Sequence, residues 1–114
     1  MFNLGKKGKN DIQSIDALEL ITENESNKDF VIIDVRSPEE YSENHIKNAL
    51  NINYSQNFEQ EIEKLDKNKK YLIYCRSGHR SSNATKIMIK SGFKDIHNLS
   101  GGIRKWKSYG LSLV

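Results

Sequence analysis

Phe30-Val31-Ile32-Ile33-Asp34-Val35 is a mostly β-branched run whose one polar member stands near its carboxyl end. A strand with one wet face alternates apolar and polar residues. A continuous apolar run of this length is what a strand buried on both faces of a parallel sheet requires. Outward from it, Tyr71-Leu72-Ile73-Tyr74 shows the same pattern, and shorter strands are expected at residues 12–15, 49–53 and 95–99. Helical signals fall between them. Ala17, Leu18 and Ile21 mark the inner face of a first helix, with Ser14 or Asp16 as its cap. Ser37-Pro38-Glu39-Glu40 is a helix start, with Ser at the cap, Pro at the first helical position and acids in the first turn. That helix ends near Asn44. Phe58, Ile62 and Leu65 mark a third helix. Ala84, Ile87 and Met88 face inward on a fourth, over about residues 80–91, with Gly92 where a left-handed carboxyl cap is wanted. Ile103 and Trp106 belong to the last, Trp106 as a core anchor. Strands alternating with helices predict an α/β fold with a parallel sheet.

The bulk properties are compatible with one globular domain. The chain has 114 residues, 36% hydrophobic and 29% charged, and neither an internal repeat nor a low-complexity linker. Residues 1–10 read as a basic, flexible tail and residues 11–114 as the domain. Eighteen basic against 15 acidic residues leave a net charge of +3, and the short runs Lys6-Lys7-Gly8-Lys9 and Lys67-Asn68-Lys69-Lys70 are far apart. That is no footprint for nucleic acid. One cysteine, Cys75, excludes an intramolecular disulfide. The chain shows neither an apolar run of signal-peptide length nor 18 consecutive apolar residues, so the expectation is a cytoplasmic protein that does not engage a membrane. His45, His79 and His97 with one Cys have no metal-ligand spacing, so no metal site is expected. His45 reads as a hydrogen-bonded core or loop histidine and not as a base.

The chemistry is expected at Cys75. In open parallel sheets, ligands bind beyond the carboxyl ends of the strands, and Cys75 stands at such an end, entering a helix. The loop reads Cys75-Arg76-Ser77-Gly78-His79-Arg80-Ser81. Gly78 gives it backbone freedom. Successive N–H groups of such a turn, backed by the following helix, form a nest for an anion. An ordinary thiol is only about 3% ionised at pH 7, and the thiolate is the nucleophile. Arg76 and Arg80 supply positive charge. Ser77, Gly78, His79 and Ser81 supply backbone N–H groups, and Ser81 is also a candidate helix cap.

This loop resembles the active-site loop of rhodanese-type sulfurtransferases, in which the cysteine accepts sulfane sulfur and becomes a persulfide. Asp34-Val35-Arg36, Glu39-Glu40-Tyr41 and His45-Ile46 resemble the family's upstream motif. Asn98-Leu99-Ser100-Gly101-Gly102 with Trp106 resembles its closing motif. The similarity runs over about residues 12–110. It implies a rhodanese-like fold, a five-stranded parallel sheet with helices on both faces. Asn44 and Asn48 stand where the family usually has Gly, and left-handed turns at both are expected because Asn best replaces Gly there. Asp34 and Arg36 are expected as a supporting ion pair at the strand end.

The implied activity is transfer of sulfane sulfur from a donor such as thiosulfate, through a Cys75 persulfide, to cyanide or a thiol. Neither a metal nor an organic cofactor is implied, and the monomer is the expected state. The rival readings are a persulfide carrier that serves a partner protein, and a small phosphatase or arsenate reductase. The related phosphatases have one more residue in the loop, wide enough for a tetrahedral oxyanion. A persulfide adds one sulfur about 2 Å beyond the first. The six residues from Cys75 to Arg80 favour sulfur.

Overall fold

The computed structural model describes residues 8–114. Its elements alternate strictly: β1 (Asp11–Ile12), α1 (Ser14–Glu23), β2 (Phe30–Asp34), α2 (Pro38–Glu43), β3 (Leu50–Asn51), α3 (Phe58–Ile62), β4 (Lys70–Tyr74), α4 (His79–Lys90), β5 (Asp95–Leu99) and α5 (Gly102–Ser108). The five strands form one parallel sheet in the order β1-β5-β4-β2-β3. The two most apolar strands pair along their whole length, from Phe30 with Lys70 to Asp34 with Tyr74. Each edge strand has two residues, which leaves little unpaired backbone to recruit another chain.

Side chains alternate across the sheet, so each central strand feeds two cores. Ile33, Val35, Tyr71, Ile73 and Cys75 pack on one face with Phe58 and Ile62 of α3 and Ala84 and Met88 of α4. Ile32, Leu72, Tyr74 and Leu99 pack on the other with Ala17 of α1 and Ile103 and Trp106 of α5. Residues such as Leu72 and Ile73 are fully enclosed, and each such burial contributes about 1.5–3 kcal/mol. Cys75 thus emerges on the α3–α4 face at the end of β4.

Several local expectations need correction. Helix α1 begins at Ser14 itself, after Gln13 and without a side-chain cap, and its inner face is Ser14, Ala17 and Ile21. Leu18 is 38% exposed because one further residue turns it about 100° away from Ala17. Asn48 adopts the expected left-handed backbone at φ 72, but Asn44 is extended at φ −172. The reason lies in its neighbours. The Asn44 carbonyl accepts from Arg36 Nη2 at 2.6 Å, and the next residue, His45, exchanges backbone bonds with Val114 at 2.9 and 3.0 Å. Both demand extended chain.

The tail expected over residues 1–10 lies outside the described residues as far as residue 7. From Gly8 the chain is tied in: Asn10 accepts from the Asn98 N–H and donates to the Ile96 carbonyl, each at 2.9 Å. Trp106 is buried, as a core anchor should be, with its indole N–H on the Ser112 carbonyl at 3.0 Å. Among the described residues no helix is long and apolar enough to cross a membrane.

Candidate active site

The loop after β4 is shaped by what holds its carbonyls. The first N–H groups of a helix have no partner within the helix. At α5 they find one next door: Ile103 N–H donates to the Cys75 carbonyl at 2.9 Å and Arg104 N–H to the Arg76 carbonyl at 3.0 Å. With its carbonyls drawn toward α5, the loop turns its own N–H groups inward. Gly78 N–H reaches Cys75 Sγ at 3.1 Å and Ser81 N–H reaches it at 3.3 Å. Two donors aimed at one sulfur suit a group that carries negative charge.

Two glycines make this geometry feasible. Gly78, at φ +100, occupies the cap position of α4 with the left-handed backbone that non-glycine residues rarely adopt. Gly102, at φ +63, lies against the loop so closely that a Cβ there would collide with the Arg76 carbonyl and stand 2.6 Å from that of Cys75. The packing of α5 on the Cys75 loop requires hydrogen at that position.

The expected residues divide into two groups. Cys75 and Ser81 are buried, whereas Arg76, Ser77 and His79 are exposed at the mouth. Ser81 does not cap the helix. Helix α4 starts two residues earlier, so Ser81 lies within its first turn, contributes its N–H to Sγ, and keeps its hydroxyl buried without a hydrogen-bond partner.

Arg80 does not swing free. Its guanidinium makes a two-pronged bond to Glu40, Nη1 to Oε1 at 2.9 Å and Nη2 to Oε2 at 3.0 Å. The Arg80 bond, more than any other contact, holds the Glu40 carboxyl down at about 2, and the Glu40 bond in turn raises Arg80 above its ordinary value. The same Glu40 oxygen accepts from the Ser37 N–H and hydroxyl, in the capping box that starts α2. One carboxylate therefore ties the start of α2 to the start of α4.

Asp34 and Arg36 form the expected pair, buried and many-stranded: Nη2 to Oδ2 at 2.7 Å, Nε to both oxygens, and the Arg36 N–H to Oδ1 at 2.9 Å. Burial alone would lower Arg36, and the bonds and charge of Asp34 overcome it and raise the guanidinium. Asn51 Nδ2 locks the same corner through the Asp34 and Arg36 carbonyls at 3.0 and 2.9 Å. Beneath, the Tyr74 ring lies under the Arg36 guanidinium, and its hydroxyl accepts from the Ile46 N–H at 3.0 Å. Burial, reinforced by Asp34, pushes this phenol far above its ordinary value. The corner that supports the site is thus a closed ionic and hydrogen-bonded unit.

His45 stacks on Tyr41, with ring centroids 3.8 Å apart, and its Nδ1 bonds the Tyr41 carbonyl at 2.8 Å, so it is a loop histidine of the kind expected. His97 pairs with Asp95 at the far end of β5. No group of three or more His, Cys, Asp or Glu among the described residues is placed to hold a metal. Sequence reasoning gave no role to Glu40, Asn51 or Tyr74. Glu40 was visible as a helix-start acid and as a member of the upstream motif, but its bond to Arg80, 40 positions away, has no local signature.

A family model described as Rhodanese-like domain matches residues 16–109. The chain is 36% identical over 98 residues to the thiosulfate sulfurtransferase GlpE of Coxiella burnetii, covering 86% of this chain and 87% of that one. It is 30% identical over 103 residues to a sulfurtransferase of Allochromatium vinosum, covering 90% and 95%. A tRNA uridine(34) hydroxylase of Cytophaga hutchinsonii is 38% identical over 82 residues, but these are 26% of that longer protein. Among solved structures, a rhodanese-related protein from Thermoplasma volcanium superposes with a TM-score of 0.77 at 31% identity, over 91% of this chain and 96% of that one.

Proposed function

Because the chain belongs to the rhodanese-like domain family, we propose that it is a sulfurtransferase carrying sulfane sulfur on Cys75. The observation that carries this reading is the pair of backbone N–H groups, from Gly78 and Ser81, converging on one buried sulfur. In the first step the Cys75 thiolate attacks the outer sulfur of a donor such as thiosulfate. The donor's S–S bond breaks, sulfite leaves with the electron pair, and a Cys75 persulfide remains. Charge is conserved, and the step needs neither metal nor organic cofactor. The loop N–H groups then solvate the persulfide anion, Arg80 holds the start of α4 in place through its bond to Glu40, and Arg76 at the mouth draws anions in. In the second step cyanide or a thiolate takes the outer sulfur and Cys75 leaves as thiolate. Ser77 and His79 contribute to the loop rim. Asp34 and Arg36 are positioning residues that support it from beneath.

Intact mass before and after thiosulfate, with Cys75→Ser alongside, tests this. Wild type is expected to gain one sulfur, about 32 Da, and to lose it to cyanide. A variant that gains the same mass, or a reduced wild type that gains none, would sink the reading.

A further inference from the structure

Two adjoining hollows lie on the outer surface of the layer formed by α3 and α4, one of about 570 Å³ against α4 and one of about 440 Å³ against the start of α3. Tyr54 and Ile87 line both, so together the hollows form one groove. Its floor is fixed. Tyr54 and Ile87 pack half-buried on the core, and the Tyr54 ring lies 5.6 Å from that of Phe58. The Tyr54 N–H also donates to the Val35 carbonyl at 3.0 Å. Beside this apolar floor, and lining the same groove, Ile89 stands 42% exposed. An isolated exposed Ile is ordinary, but one continuous with an apolar groove makes a patch whose burial is favourable.

The two rims carry opposite charge. On α4, Lys86 and Lys90 are one turn apart and share a face with Ile89. Both lysines are exposed, and neither pairs with a carboxylate among the described residues. On α3, the exposed Glu59 has no ion-pair partner among the described residues either. Its neighbours Glu61 and Glu63 are already matched, by Lys64 and Lys67 at 3.0 and 3.1 Å. The unmatched charges are thus the ones that border the groove.

This pattern narrows what can sit there. A second copy meeting the groove with its own groove would set one hollow against another and fill neither. An anionic bilayer would meet Glu59 as well as the lysines, and a flat surface does not follow a concave floor. A single helix fits both features. Its apolar stripe covers Tyr54, Ile87 and Ile89, and carboxylates on one flank reach Lys86 and Lys90. We infer that this groove docks an amphipathic helix of a partner protein, with carboxylates along the flank that faces Lys86 and Lys90. The groove borders the last two turns of α4, the helix whose first turn gives the Ser81 N–H to Sγ. No residue of the Cys75 loop lines either hollow, so docking leaves that loop uncovered. The inference does not depend on what Cys75 carries.

Two synthetic 14-residue helical peptides test it, alike in their Leu stripe and differing only in Glu or Gln along one flank. Titrated into the isotope-labelled full chain, the Glu peptide should shift the amide signals of Ile87, Ile89 and Lys90 saturably. It should bind about tenfold more tightly than the Gln peptide, the size expected for two exposed ion pairs. Lys86→Gln/Lys90→Gln should weaken the Glu peptide about tenfold and leave the Gln peptide unchanged. Ile89→Ser should weaken both about fivefold through lost apolar contact. Equal affinity of the two peptides for wild type, an equal loss for both in the lysine variant, or no shifts at these amides overturns the inference. Pelleting with phosphatidylglycerol vesicles that the lysine variant abolishes would assign the groove to lipid and overturn it. So would a dimer in sedimentation velocity that Ile89→Ser dissociates, which would assign the groove to a second copy.

Discussion

Replacing Gly102 with Ala should cost more than its backbone angle alone explains, because the added methyl collides with the loop that carries Cys75. At φ +63 any residue with a Cβ loses about 1–2 kcal/mol. The Cβ would also meet the carbonyls of Arg76 and Cys75, which are backbone atoms and cannot rotate aside. Relief requires α5 and the loop to separate, which weakens the Ile103 and Arg104 N–H bonds, each worth about 0.5–1.5 kcal/mol. The expected loss is about 2–5 kcal/mol, a large share of the roughly 5–15 kcal/mol by which a typical domain is stable. Gly110→Ala provides the control. It too has a left-handed angle, φ 72, but nothing lies within 4 Å of its Cβ position, so it should show the backbone penalty only. Equilibrium urea unfolding, followed by the fluorescence of Trp106 (the one tryptophan), compares them directly. Sulfur loading of the folded Gly102→Ala protein should also slow, since the N–H groups of Gly78 and Ser81 lose their alignment on Sγ. Should Gly102→Ala be no less stable than Gly110→Ala, the claim that α5 shapes the loop by close approach would be wrong.

Other outcomes follow from the ionic contacts and turns. Glu40 titrates at about 2 in the folded protein against an ordinary 4.5. Its bond to Arg80 therefore contributes stability above pH 4.5, and this is lost as the pH falls from 4.5 toward 2. Glu40→Gln should thus lower the melting temperature at pH 7 by the equivalent of about 1–2 kcal/mol, with a gap to wild type that closes at acid pH; a gap constant from pH 7 to pH 2 would contradict the assignment. Asp34→Asn leaves the buried Arg36 guanidinium without its counter-charge and should cost about 3–5 kcal/mol in urea unfolding, whereas a loss under about 1 kcal/mol would mean the pair is not closed to water. Asn48→Ala keeps the β-carbon at φ 72 but removes the side-chain amide that eases this backbone, and about 1 kcal/mol of destabilisation by the same measurement is expected, with no change signalling a relaxed turn.

The fold and the turn around Cys75 were legible in the chain because both are written locally. The apolar run from Phe30 to Val35 and its counterpart at Tyr71 to Tyr74 need burial on two faces, and only a covered parallel sheet supplies it. The step from that second strand through Cys75 and Gly78 into a helix names an anion nest by its residue types alone. Ser37 with Pro38 and Glu40 likewise set a capping box within four residues.

What lay beyond local reading were the partners brought together by the sheet order. Glu40 meets Arg80 only because β2 and β4 are neighbours, so that the helices leaving them start side by side. Asn44 was expected to turn left-handed and is extended, since a carbonyl required by Arg36 and a bridge to Val114 outweigh its own preference. Gly102 belonged to a recognisable motif, but its reason for being glycine, the Arg76 carbonyl against its α-carbon, exists only once α5 packs on the loop. Backbone preferences of a fraction of a kcal/mol to a few kcal/mol decide each element alone. Where a buried charge or a colliding carbonyl is at stake, the tertiary contact is worth more and decides the outcome.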